Sequence, residues 1–496
     1  MRLAKLIEGL PVSSIVGATD LDINLLTYDS RKIVDAHSLF VAIPGEHVDG
    51  NVFIKDAIAL GASVITSKPV NDNGSKAPYL GTIVTVDDAR EALAKLAANF
   101  FENPSFSLKI IGVTGTNGKT TTAFLTKHIC MRTGFRCGFI GTIHYDIGDG
   151  ITIDSKRTTP EALELQSLLA RMRDNGTTAA SVEVSSHAIS QKRVNDMEFD
   201  VAIFTNLTQD HLDYHHNLGN YFEAKSKLFT NNLAKQKVKK GVSIINIDDI
   251  FGRKLLSQLS KGEKVLTFGQ DEQADFHIGA ISTQINGTSF LLHYKGKKYS
   301  VRFPLAGKFN VYNAVAAIAG SISIGIDAEK AIDALATAES PPGRLQMVET
   351  KNGISVFVDY AHTEDALTYT LITSRTIATR RIILVFGCGG NRDKTKRPKM
   401  GKVAEKLSDY VIVTSDNPRD EDPLAIALEI TSGMNSSSPR IILDRKDAIA
   451  HALEVAQPGD LILIAGKGHE CYQEFASETI SFDDARIVRE LLRHTS

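Results

Sequence analysis

Short apolar strands alternate with amphipathic helices along most of this chain of 496 residues, and that alternation limits its fold more than any other feature. In the middle of the chain the strand segments are "LKIIGVTG", "GFIGTI", "SVEVS", "VAIFTN" and "VSIINI", with helical patterns between them. Strands that alternate with helices form parallel sheets covered by helices on both faces. We therefore predict an α/β fold built around a mostly parallel central sheet.

The segments on either side have the same character. The first predicts a small α/β domain, with strands in "SLFVAIPG" and "ASVITS" and a helix in "DDAREALAKLAANFF" that starts at an Asp. The last alternates strand and helix through "SVFVDYA", "RIILVFG", "YVIVTS", "RIILD" and "DLILIAG". That pattern predicts a second doubly wound, Rossmann-like domain.

The end of the central part has a different pattern. The segment "DFHIGAISTQINGTSFLLHYKGKKYSVRFPL" alternates with period two around an Asn-Gly turn signal, which predicts an antiparallel hairpin appended to the sheet. Helices in "NVYNAVAAIAGSISIG" and "DAEKAIDALATA" follow, and the paired prolines of "ESPPGR" indicate a linker. We therefore predict three domains, at residues 1–105, 106–339 and 340–496.

Composition and charge exclude several classes of protein. With 43% apolar and 23% charged residues, and 56 Lys plus Arg against 58 Asp plus Glu, the chain has no basic field to attract nucleic acid or an anionic membrane. The cysteines form no C-x-x-C pair, which suits a reducing cytoplasm: Cys130, Cys137, Cys388 and Cys471. The N-terminal segment is too weakly apolar for a signal peptide, and no stretch approaches about 18 apolar residues. We expect a cytoplasmic protein.

The segment "IIGVTGTNGKTTT" joins an apolar strand to a helix through a glycine-rich turn. Backbone N–H groups in such a turn, with the helix N-terminus, cradle phosphate oxygens. Lys119 is expected to reach the β- and γ-phosphates, and the Thr120 hydroxyl to hold Mg²⁺. The strict P-loop has glycine where Val113 stands, flanked here by Gly112 and Gly115. A turn without a ligand is the alternative, but Gly-Lys-Thr between strand and helix favours binding of a nucleoside triphosphate.

Two further polar residues follow apolar strands, Glu183 after "AASV" and His211 after "VAIFTNLTQD". Both are expected at the carboxyl edge of the parallel sheet, where such sheets bind ligands. Taken alone, Glu183 could equally be a charge at a helix N-terminus and His211 a structural histidine. Lys225 in "YFEAKSKLF" alone indicates a solvated helix lysine.

A series of motifs occurs in an order that resembles the Mur ligases. They are "GVTGTNGKTTT", "EVSSHAI", "TNLTQDHLDYH", "YFEAKSKLF", "GKFNVYNAVAA", "PPGRLQ", "VDYAHT", "GCGGNRDKTKRPKM", "SDNPR" and "GKGHE". With "TYDSRKIVDAHSLFVAIPG", the resemblance covers essentially the whole chain. It implies an ATP- and Mg²⁺-dependent ligase that joins a carboxylate to an amine. The set is most similar to members that add meso-diaminopimelate to UDP-N-acetylmuramoyl-L-alanyl-D-glutamate in peptidoglycan synthesis, and small molecules would be the partners of a monomer.

The resemblance also implies which residues bind ATP and metal. The nucleotide contacts are Gly115, Thr116, Asn117, Gly118, Lys119, Thr120, Thr121, Asn310, Asn313, Arg344 and Asp359. The catalytic residues are Lys119, Glu183, His211 and Lys225. Thr120 would hold one Mg²⁺, and a second would be held by Glu183, His211 and Lys225. Lys225, selected by the pattern A-K-x-x-L, would carry CO₂ as a carbamate (N6-carboxylysine), which turns a cation into an oxygen donor.

The same resemblance assigns the other two substrates. The UDP-sugar dipeptide would contact Ser30, Glu46, His47, Val48, Thr158, Thr159, Ser185, Gln191 and Arg193. Diaminopimelate would contact Arg392, Asp416, Asn417, Pro418, Arg419, Gly466 and Glu470. The chain departs from the family at two positions, His216 where glycine is common and Glu364 where proline is usual.

Arg419 stands among acidic residues in "TSDNPRDEDP", so a turn in which the arginine neutralises its neighbours is one interpretation. The other is selection of diaminopimelate, whose additional carboxylate suits the planar fork of an arginine. Acids after Arg419 could orient it or compete for it. The alternatives are a ligase that adds L-lysine, a folylpolyglutamate synthase, which the uridine-site motifs disfavour, and a P-loop ATPase or regulatory binding module.

Overall fold

The computed structural model describes residues 1–45, 48–69, 81–435 and 439–494. Contacts between Cα atoms divide the chain into two compact units, Met1–His277 with Val315–Ile332 and Ile278–Ala314 with Asp333–Ser496. Helices and mostly parallel sheets alternate in both, so the predicted α/β class is confirmed. The boundaries of the three domains stay a prediction. Within the described ranges, no helix is both long enough and apolar enough to cross a membrane.

The N-terminal part of the first unit contains a sheet of five short strands. These are β1 (Val12–Val16), β2 (Leu25–Thr27), β3 (Ser38–Val41), β4 (Ser63–Thr66) and β5 (Ile83–Val86), with helices α1 (Leu3–Leu6), α2 (Ile54–Ala59) and α3 (Ala89–Phe100). Their spatial order is β1-β5-β4-β3-β2, and only β1 pairs antiparallel. The helix α3 begins as predicted, because the Asp88 side chain accepts hydrogen bonds from the N–H groups of Arg90 and Glu91.

An eleven-stranded sheet follows. Its strands are β6 (Lys109–Thr114), β7 (Cys137–Ile140), β8 (His144–Asp146), β9 (Thr152–Asp154), β10 (Ala179–Glu183), β11 (Val201–Phe204), β12 (Val242–Asn246), β13 (Lys264–Gly269), β14 (Phe276–Gln284), β15 (Gly287–Tyr294) and β16 (Lys297–Phe303). Its helices are α4 (Lys119–Arg132), α5 (Ala162–Asp174), α6 (Ser186–Ser190), α7 (Leu212–His215), α8 (Leu218–Lys227), α9 (Ile250–Gln258), α10 (Lys308–Ser323) and α11 (Ala328–Leu335).

The strand order of this sheet is β16-β15-β14-β13-β12-β11-β6-β10-β7-β8-β9. Pairing is parallel along the run β14-β13-β12-β11-β6-β10-β7, whereas β8 and β9 at one edge pair antiparallel. The strands β6, β10 and β11 are almost entirely buried because helices cover both faces. An antiparallel hairpin is present at β15 and β16, but its turn is Lys295-Gly296. The Asn-Gly dipeptide, where the turn was predicted, instead joins β14 to β15, which are neighbours in the sheet. The three-residue strands β8 and β9 were not predicted, because they are too short to show a period.

The C-terminal part of the second unit contains a six-stranded sheet and a small two-stranded sheet. The strands are β17 (Gln346–Lys351), β18 (Ile354–Asp359), β19 (Ile382–Phe386), β20 (Tyr410–Val413), β21 (Arg440–Ile441), β22 (Leu461–Ala465), β23 (Tyr472–Glu474) and β24 (Thr479–Ser481). The helices are α12 (Glu364–Ile377), α13 (Lys396–Leu407), α14 (Pro423–Thr431), α15 (Arg445–Val455) and α16 (Asp484–His494). Glu364, where the resembled family usually has proline, lies in the first turn of α12, a place that suits both residues.

The six-stranded sheet has the order β17-β18-β22-β19-β20-β21, and only the edge strand β17 pairs antiparallel. The doubly wound prediction for this segment is therefore confirmed, and every strand named for it is present. Parallel strands end at one edge, so the loops after β18, β19, β20 and β22 converge there. Those loops carry the predicted residues of the C-terminal part.

The helix α13 approaches the end of α14 closely at Gly401. A Cβ at this position would lie 2.0 Å from the backbone oxygen of Ile430. Because a backbone atom cannot move aside alone, we expect Gly401→Ala to destabilise the protein by about 1–3 kcal/mol in thermal denaturation. The exposed neighbour Lys402 provides the control, and Lys402→Ala should change stability by less than about 0.5 kcal/mol. Helix propensity alone would make Gly401→Ala more stable than the parent protein. A higher melting temperature in this variant would therefore contradict the close approach of the two helices.

Candidate active site

The glycine-rich loop lies between β6 and α4, at the carboxyl edge of the central sheet. Two of its glycines have positive φ, +148° at Gly115 and +85° at Gly118. A Cβ at Gly115 would lie 1.9 Å from Oγ1 of Thr205, so the loop leaves no space for a side chain there. Thr205 Oγ1 also donates to Asn117 O at 2.6 Å, and Asn206 Oδ1 accepts from Asn117 N at 3.0 Å. The residues after β11 therefore hold the loop in place.

Two lysine side chains meet at one carbonyl of this loop. Lys119 Nζ donates to Gly115 O at 2.9 Å and to Thr116 O at 2.8 Å, while Lys225 Nζ donates to the same Gly115 O at 2.8 Å. Lys225 is only 1% exposed, so the solvated lysine that its sequence alone indicated is wrong. Burial, and then the charge of Lys119, lowers the pKa of the Lys225 amine well below its ordinary range. Its Nζ also lies 4.6 Å from the centre of the Tyr221 ring.

Glu183, the last residue of β10, contacts the start of α4. Its Oε2 accepts from Thr120 Oγ1 at 2.9 Å, and Thr142 donates to the carboxylate through both its N–H at 2.9 Å and its hydroxyl at 3.1 Å. Glu183 is completely buried. The predicted metal ligands Thr120 and Glu183 therefore lie together. Thr142 was not predicted, because no motif points to a threonine on the loop after β7.

His211 lies in a cluster of aromatic rings on α6, α7 and α8. Its ring centre is 4.9 Å from that of His187, which is itself 4.2 Å from Tyr214 and 5.6 Å from His215. Tyr221 contacts the ring of His215 at 5.1 Å. Of these five residues only His211 was predicted as a ligand. The motif "EVSSHAI" contains His187, and its place two residues after Ser185 was the signal that could have identified it.

His216, where the resembled motif commonly has glycine, has φ +68°. Glycine adopts such a conformation at no steric cost, whereas most other residues do not. His216 therefore has a backbone conformation that favours glycine, the residue common at this position in the resembled motif.

A pocket of about 760 Å³ lies in the first unit. Every described residue predicted for the UDP-sugar dipeptide lines it: Ser30, Val48, Thr158, Thr159, Ser185, Gln191 and Arg193. His211 and the unpredicted His187 also line it. The other two predicted residues, Glu46 and His47, lie outside the described residues. The N-terminal part and the central sheet thus contribute to one cavity of a size suited to a small-molecule ligand.

A buried carboxylate organises the arginines of this pocket. Glu161 Oε1 lies 3.0 Å from Arg193 Nε, Arg157 bonds the same carboxylate, and Arg90 Nη1 lies 3.5 Å from it. Arg193 also donates to Thr159 O at 3.0 Å and to Gln191 Oε1 at 2.6 Å. None of Glu161, Arg157 and Arg90 was predicted. Two of the three partners of Glu161, Arg90 and Arg193, come from distant segments, so no sequence signature indicated this neutralising acid.

Tyr28 is a further unpredicted residue of the pocket wall. Its hydroxyl donates to Glu164 Oε1 at 2.8 Å, a bond that joins the N-terminal part to α5. Burial, and then the charge of Glu164, raises the pKa of this phenol. The tyrosine therefore stays protonated and remains a hydrogen-bond donor at any physiological pH.

The other predicted nucleotide contacts lie in the second unit as two pairs. Asn313 Nδ2 donates to Asn310 Oδ1 at 3.1 Å, and both side chains are buried. Asp359 accepts hydrogen bonds from the N–H groups of Leu345 at 2.6 Å and Ala361 at 2.9 Å. Leu345 follows Arg344 directly in the chain. Desolvation raises the pKa of Asp359, although the charge of Arg344 works against that rise. Contact of these residues with the glycine-rich loop stays a prediction.

Most residues predicted for the amino acid converge at the edge of the C-terminal sheet. Asn417 Nδ2 donates to Glu470 Oε2 at 2.9 Å, and a Cβ at Gly466 would lie 2.5 Å from Asp416 Oδ2. The buried Lys467, which was not predicted, donates to Asn417 Oδ1 at 2.8 Å and to Glu470 Oε2 at 3.0 Å. The "SDNPR" and "GKGHE" segments therefore form one hydrogen-bonded cluster.

Arg419 has φ +52°, a conformation that few residues other than glycine adopt. Its Nη1 donates to Gly390 O at 2.9 Å, and its Nε lies 2.8 Å from Glu474 Oε2. Arg392 is exposed, and its Cγ lies 3.8 Å from where a Cβ on Gly389 would be, while Arg419 Nη1 lies 3.1 Å from that point. Both arginines therefore flank the loop after β19.

The acids that follow Arg419 have other partners. Asp420 accepts from Asn391 Nδ2 at 2.7 Å, Glu421 pairs with Arg397 at 3.0 Å, and Asp422 accepts from the N–H of Leu424 at the start of α14. They hold the turn and the helix, and the partner of Arg419 is Glu474, which the sequence did not indicate.

Three descriptions of one family match the chain in succession: "Mur ligase family, catalytic domain" over residues 22–101, "Mur ligase middle domain" over 113–320 and "Mur ligase, glutamate ligase domain" over 343–468. A curated protein of Syntrophomonas wolfei, named UDP-N-acetylmuramoyl-L-alanyl-D-glutamate--2,6-diaminopimelate ligase, is 43% identical over 99% of this chain and 99% of its own. The chain belongs to the Mur ligase family. The resemblance stated from the motifs is thus confirmed.

Solved structures of Mur ligases and related enzymes share the fold. A structure of UDP-N-acetylmuramoyl-L-alanyl-D-glutamate--2,6-diaminopimelate ligase is 32% identical, with a TM-score of 0.71, and covers 100% of this chain and 99% of its own. A folylpolyglutamate synthase of Mycobacterium tuberculosis, complexed with ADP and AMPPCP, is 20% identical with a TM-score of 0.60 and covers 75% of this chain. That second likeness shows a common fold alone, and it leaves a quarter of this Mur ligase unmatched.

Removal of the carboxylate at Glu161 should leave the pocket arginines without their common counter-ion. We expect Glu161→Ala to lower stability by about 3 kcal/mol or more, because the change removes the carboxylate beside the buried cation of Arg193 and the partly buried cation of Arg90. Thermal denaturation provides the measurement, with Glu223→Ala, an exposed acid on α8, as a control expected within about 0.5 kcal/mol of the parent. Equal melting midpoints for the two variants would contradict a neutralising role for Glu161.

Proposed function

We propose that this Mur ligase is the ATP-dependent enzyme that adds meso-diaminopimelate to UDP-N-acetylmuramoyl-L-alanyl-D-glutamate in peptidoglycan synthesis. The observation that carries the proposal is the identity of 43%, over 99% of both chains, with a protein of that name. The pocket in the first unit and the arginine-flanked cluster in the second supply separate sites for an anionic sugar nucleotide and an amino acid.

The chemistry sets what the site must do. A carboxylate is a poor electrophile at neutral pH, so a carboxylate oxygen of the substrate attacks the γ-phosphorus of ATP. ADP leaves with the electron pair of the broken P–O bond, and an acyl phosphate results. The neutral amine of the amino acid then attacks the acyl carbon, the new C–N bond forms, the nitrogen loses one proton, and inorganic phosphate leaves with the electron pair of the C–O bond. The glycine-rich loop and Lys119 suit the phosphate groups, because N–H dipoles and an ammonium group stabilise negative charge.

The residues present fit Mg²⁺. No cluster of three or more His, Cys, Asp or Glu side chains suited to a metal occurs in the described part of the chain, so hydroxyl and other oxygens are needed as well. Thr120 and Glu183 provide two such oxygens only 2.9 Å apart, and hard oxygen donors are what Mg²⁺ prefers. Thr120, Glu183, His211 and carbamylated Lys225 would hold the ions, which when bound offset the repulsion between phosphates and carboxylate.

The carbamate at Lys225 rests on the family motif and on the burial of the side chain. Its amine is buried and lies beside the cation of Lys119, where a positive charge is poorly solvated and repelled. A carbamate would replace that charge with an anion, which Lys119 would then stabilise. The neutral form of an amine is the one that reacts with CO₂, and the surroundings of Lys225 favour that form.

The amino-acid site is the cluster around Asn417, Lys467 and Glu470, flanked by Arg392 and Arg419. Arginine can pair with the distal carboxylate of diaminopimelate through two parallel hydrogen bonds, and lysine lacks that carboxylate. The L-lysine-adding activity is therefore the second candidate. A folylpolyglutamate synthase is less well supported, since the pocket uses residues of the N-terminal part.

The setting of the enzyme remains a separate proposal. All four cysteines lie in the described part of the chain and none of them is in a disulfide, which supports a reducing, cytoplasmic location. A monomer that acts on small molecules, without nucleic acid or membrane partners, completes the proposal.

One assay tests the activity. Purified protein is incubated with ATP, Mg²⁺ and the UDP-dipeptide, and a panel of amino acids is added in turn. We expect ADP and a UDP-tripeptide in equal amounts with meso-diaminopimelate, and little product with L-lysine.

Lys119→Ala should reduce the rate by about 10²-fold or more while the protein stays folded, since it removes a preorganised charge. ADP release without an amino acid, or preference for lysine, would overturn the proposal.

The carbamate has its own test. We expect Lys225→Ala to lose activity and to regain part of it when a small carboxylate such as acetate is added, because the added anion replaces an oxygen donor. Lys225→Arg should stay inactive, since a guanidinium is not carbamylated and cannot bind Mg²⁺. Lys227→Ala, two positions away and exposed, is the control and should retain activity. A fully active Lys225→Arg would eliminate the carbamate.

Arg419 can be tested by the same turnover assay. We expect Arg419→Ala and Arg419→Lys to cut diaminopimelate turnover at least about tenfold, as for one lost charge-assisted contact at ~1.5–3 kcal/mol. Asp420→Ala, which removes an acid bonded to Asn391 rather than to the arginine, serves as the matched control. Full diaminopimelate activity in Arg419→Ala would return the arginine to the role of a turn residue.

A further inference from the structure

Arg445 and Asp484 form a completely buried ion pair in the C-terminal part of the chain. Arg445 Nε lies 2.7 Å from Asp484 Oδ1 and Nη2 lies 2.8 Å from Oδ2, with both side chains 0% exposed. Arg445 is the first residue of α15, and Asp484 is the first of α16. Two parallel hydrogen bonds to one carboxylate fix the plane of the guanidinium.

The same guanidinium also reaches two strand ends. Its Nη1 donates to Ser415 O at 3.4 Å, and its Nη2 donates to Ala465 O at 3.1 Å. Ser415 immediately precedes Asp416, and Ala465 immediately precedes Gly466. One side chain therefore binds the backbone at the start of both loops that carry the amino-acid cluster.

Electrostatics link the pair to the cluster as well. Burial works to lower the pKa of Arg445, but the charge of Asp484, followed by those of Asp416 and Glu470, raises it overall. Asp416 and Glu470 belong to the predicted amino-acid site. Arg445 therefore lies close enough to the cluster for the charges of Asp416 and Glu470 to act on it, in addition to the charge of its partner Asp484.

Stability alone does not account for this arrangement. Replacement of a buried ion pair by neutral groups is often harmless to stability, because desolvation of the charges offsets their attraction. Apolar side chains cannot, however, donate to the two backbone carbonyls, and no neutral side chain has enough N–H donors to make these two bonds and a two-point bond to a carboxylate at once. The property specific to Arg445 is its set of hydrogen bonds across two loops.

We propose that Arg445 and Asp484 form a positioning pair, which holds the loops Asp416–Arg419 and Gly466–Glu470 in the arrangement that binds the amino-acid substrate. The inference rests on the proposed function, since it takes diaminopimelate as the ligand of this cluster. The pair touches no reacting atom. It acts through the backbone of Ser415 and Ala465, so its loss changes the affinity for one substrate only.

The test uses the full-length double variant Arg445→Met/Asp484→Asn, in which neither charge is left unpaired. Michaelis constants are measured for diaminopimelate and for the UDP-dipeptide separately, each with the other substrates saturating. We expect the constant for diaminopimelate to rise about tenfold or more, as for a small displacement of binding groups. The constant for the UDP-dipeptide should stay unchanged. Arg445→Lys, which keeps the charge but lacks the fork, should show the same selective rise.

A matched control exists at the opposite edge of the same sheet. Arg381 Nη2 lies 2.6 Å from Asp460 Oδ2, and the Asp460 side chain is 0% exposed. Arg381 and Asp460 directly precede β19 and β22, so they lie at the amino ends of these strands. The amino-acid cluster lies at the carboxyl ends of β20 and β22. Arg381→Met/Asp460→Asn therefore removes another Arg–Asp pair of the same sheet, with a buried carboxylate and a 35% exposed arginine, at the amino ends of the strands and away from the loops. We expect its Michaelis constant for diaminopimelate to match that of the wild type, whatever its loss of melting temperature.

The outcomes separate the inference from the proposed function. A wild type that ligates diaminopimelate, with an unchanged Michaelis constant in both Arg445 variants, overturns the positioning pair alone. An equal rise in the Arg381→Met/Asp460→Asn control also overturns it, because the effect would then come from a loosened domain. A wild type that does not ligate diaminopimelate overturns the proposed function and this inference together.

Discussion

Three buried strands of the central sheet, β11, β6 and β10, end in register at one edge. Phe204 pairs with Thr114, and Val113 pairs with Glu183, so the residues that follow each strand emerge side by side. This register brings Glu183 to the helix that starts at Lys119 and places Asn206 against the glycine-rich loop. Polar groups from segments far apart in sequence meet there because parallel strands share one carboxyl edge.

That constraint explains which features could be predicted from the sequence. Strands and helices with clear periodicity lie where the pattern placed them, and the loop after β6 follows from Gly-Lys-Thr between two such elements. The polar partners of the motif residues could not be predicted. Glu161 meets Arg193 and Arg90 only in the folded chain, and neither spacing nor composition encodes that meeting.

Lys225 shows the limit of local interpretation. In "YFEAKSKLF" it resembles any lysine of an amphipathic helix, and only the family motif distinguished it from Lys227. The structure adds the physical reason, since α8 directs this amine to the carbonyl of Gly115 while Lys227 remains exposed. Arg419 is similar. The acids nearest in sequence take other partners, and Glu474, from a strand more distant in the chain, pairs with it.

The left-handed backbone at Arg419 restricts how this site can change during evolution. At φ +52° a β-branched side chain is strongly disfavoured, whereas glycine, asparagine and aspartate are tolerated. Most single replacements therefore impose a conformational cost on the loop in addition to the loss of the cation. In a descendant that accepted a different amino acid, glycine or a small polar residue at this position would have the lowest conformational cost. In the role proposed for Arg419, substrate choice and backbone geometry would be inherited together, since one residue would determine both.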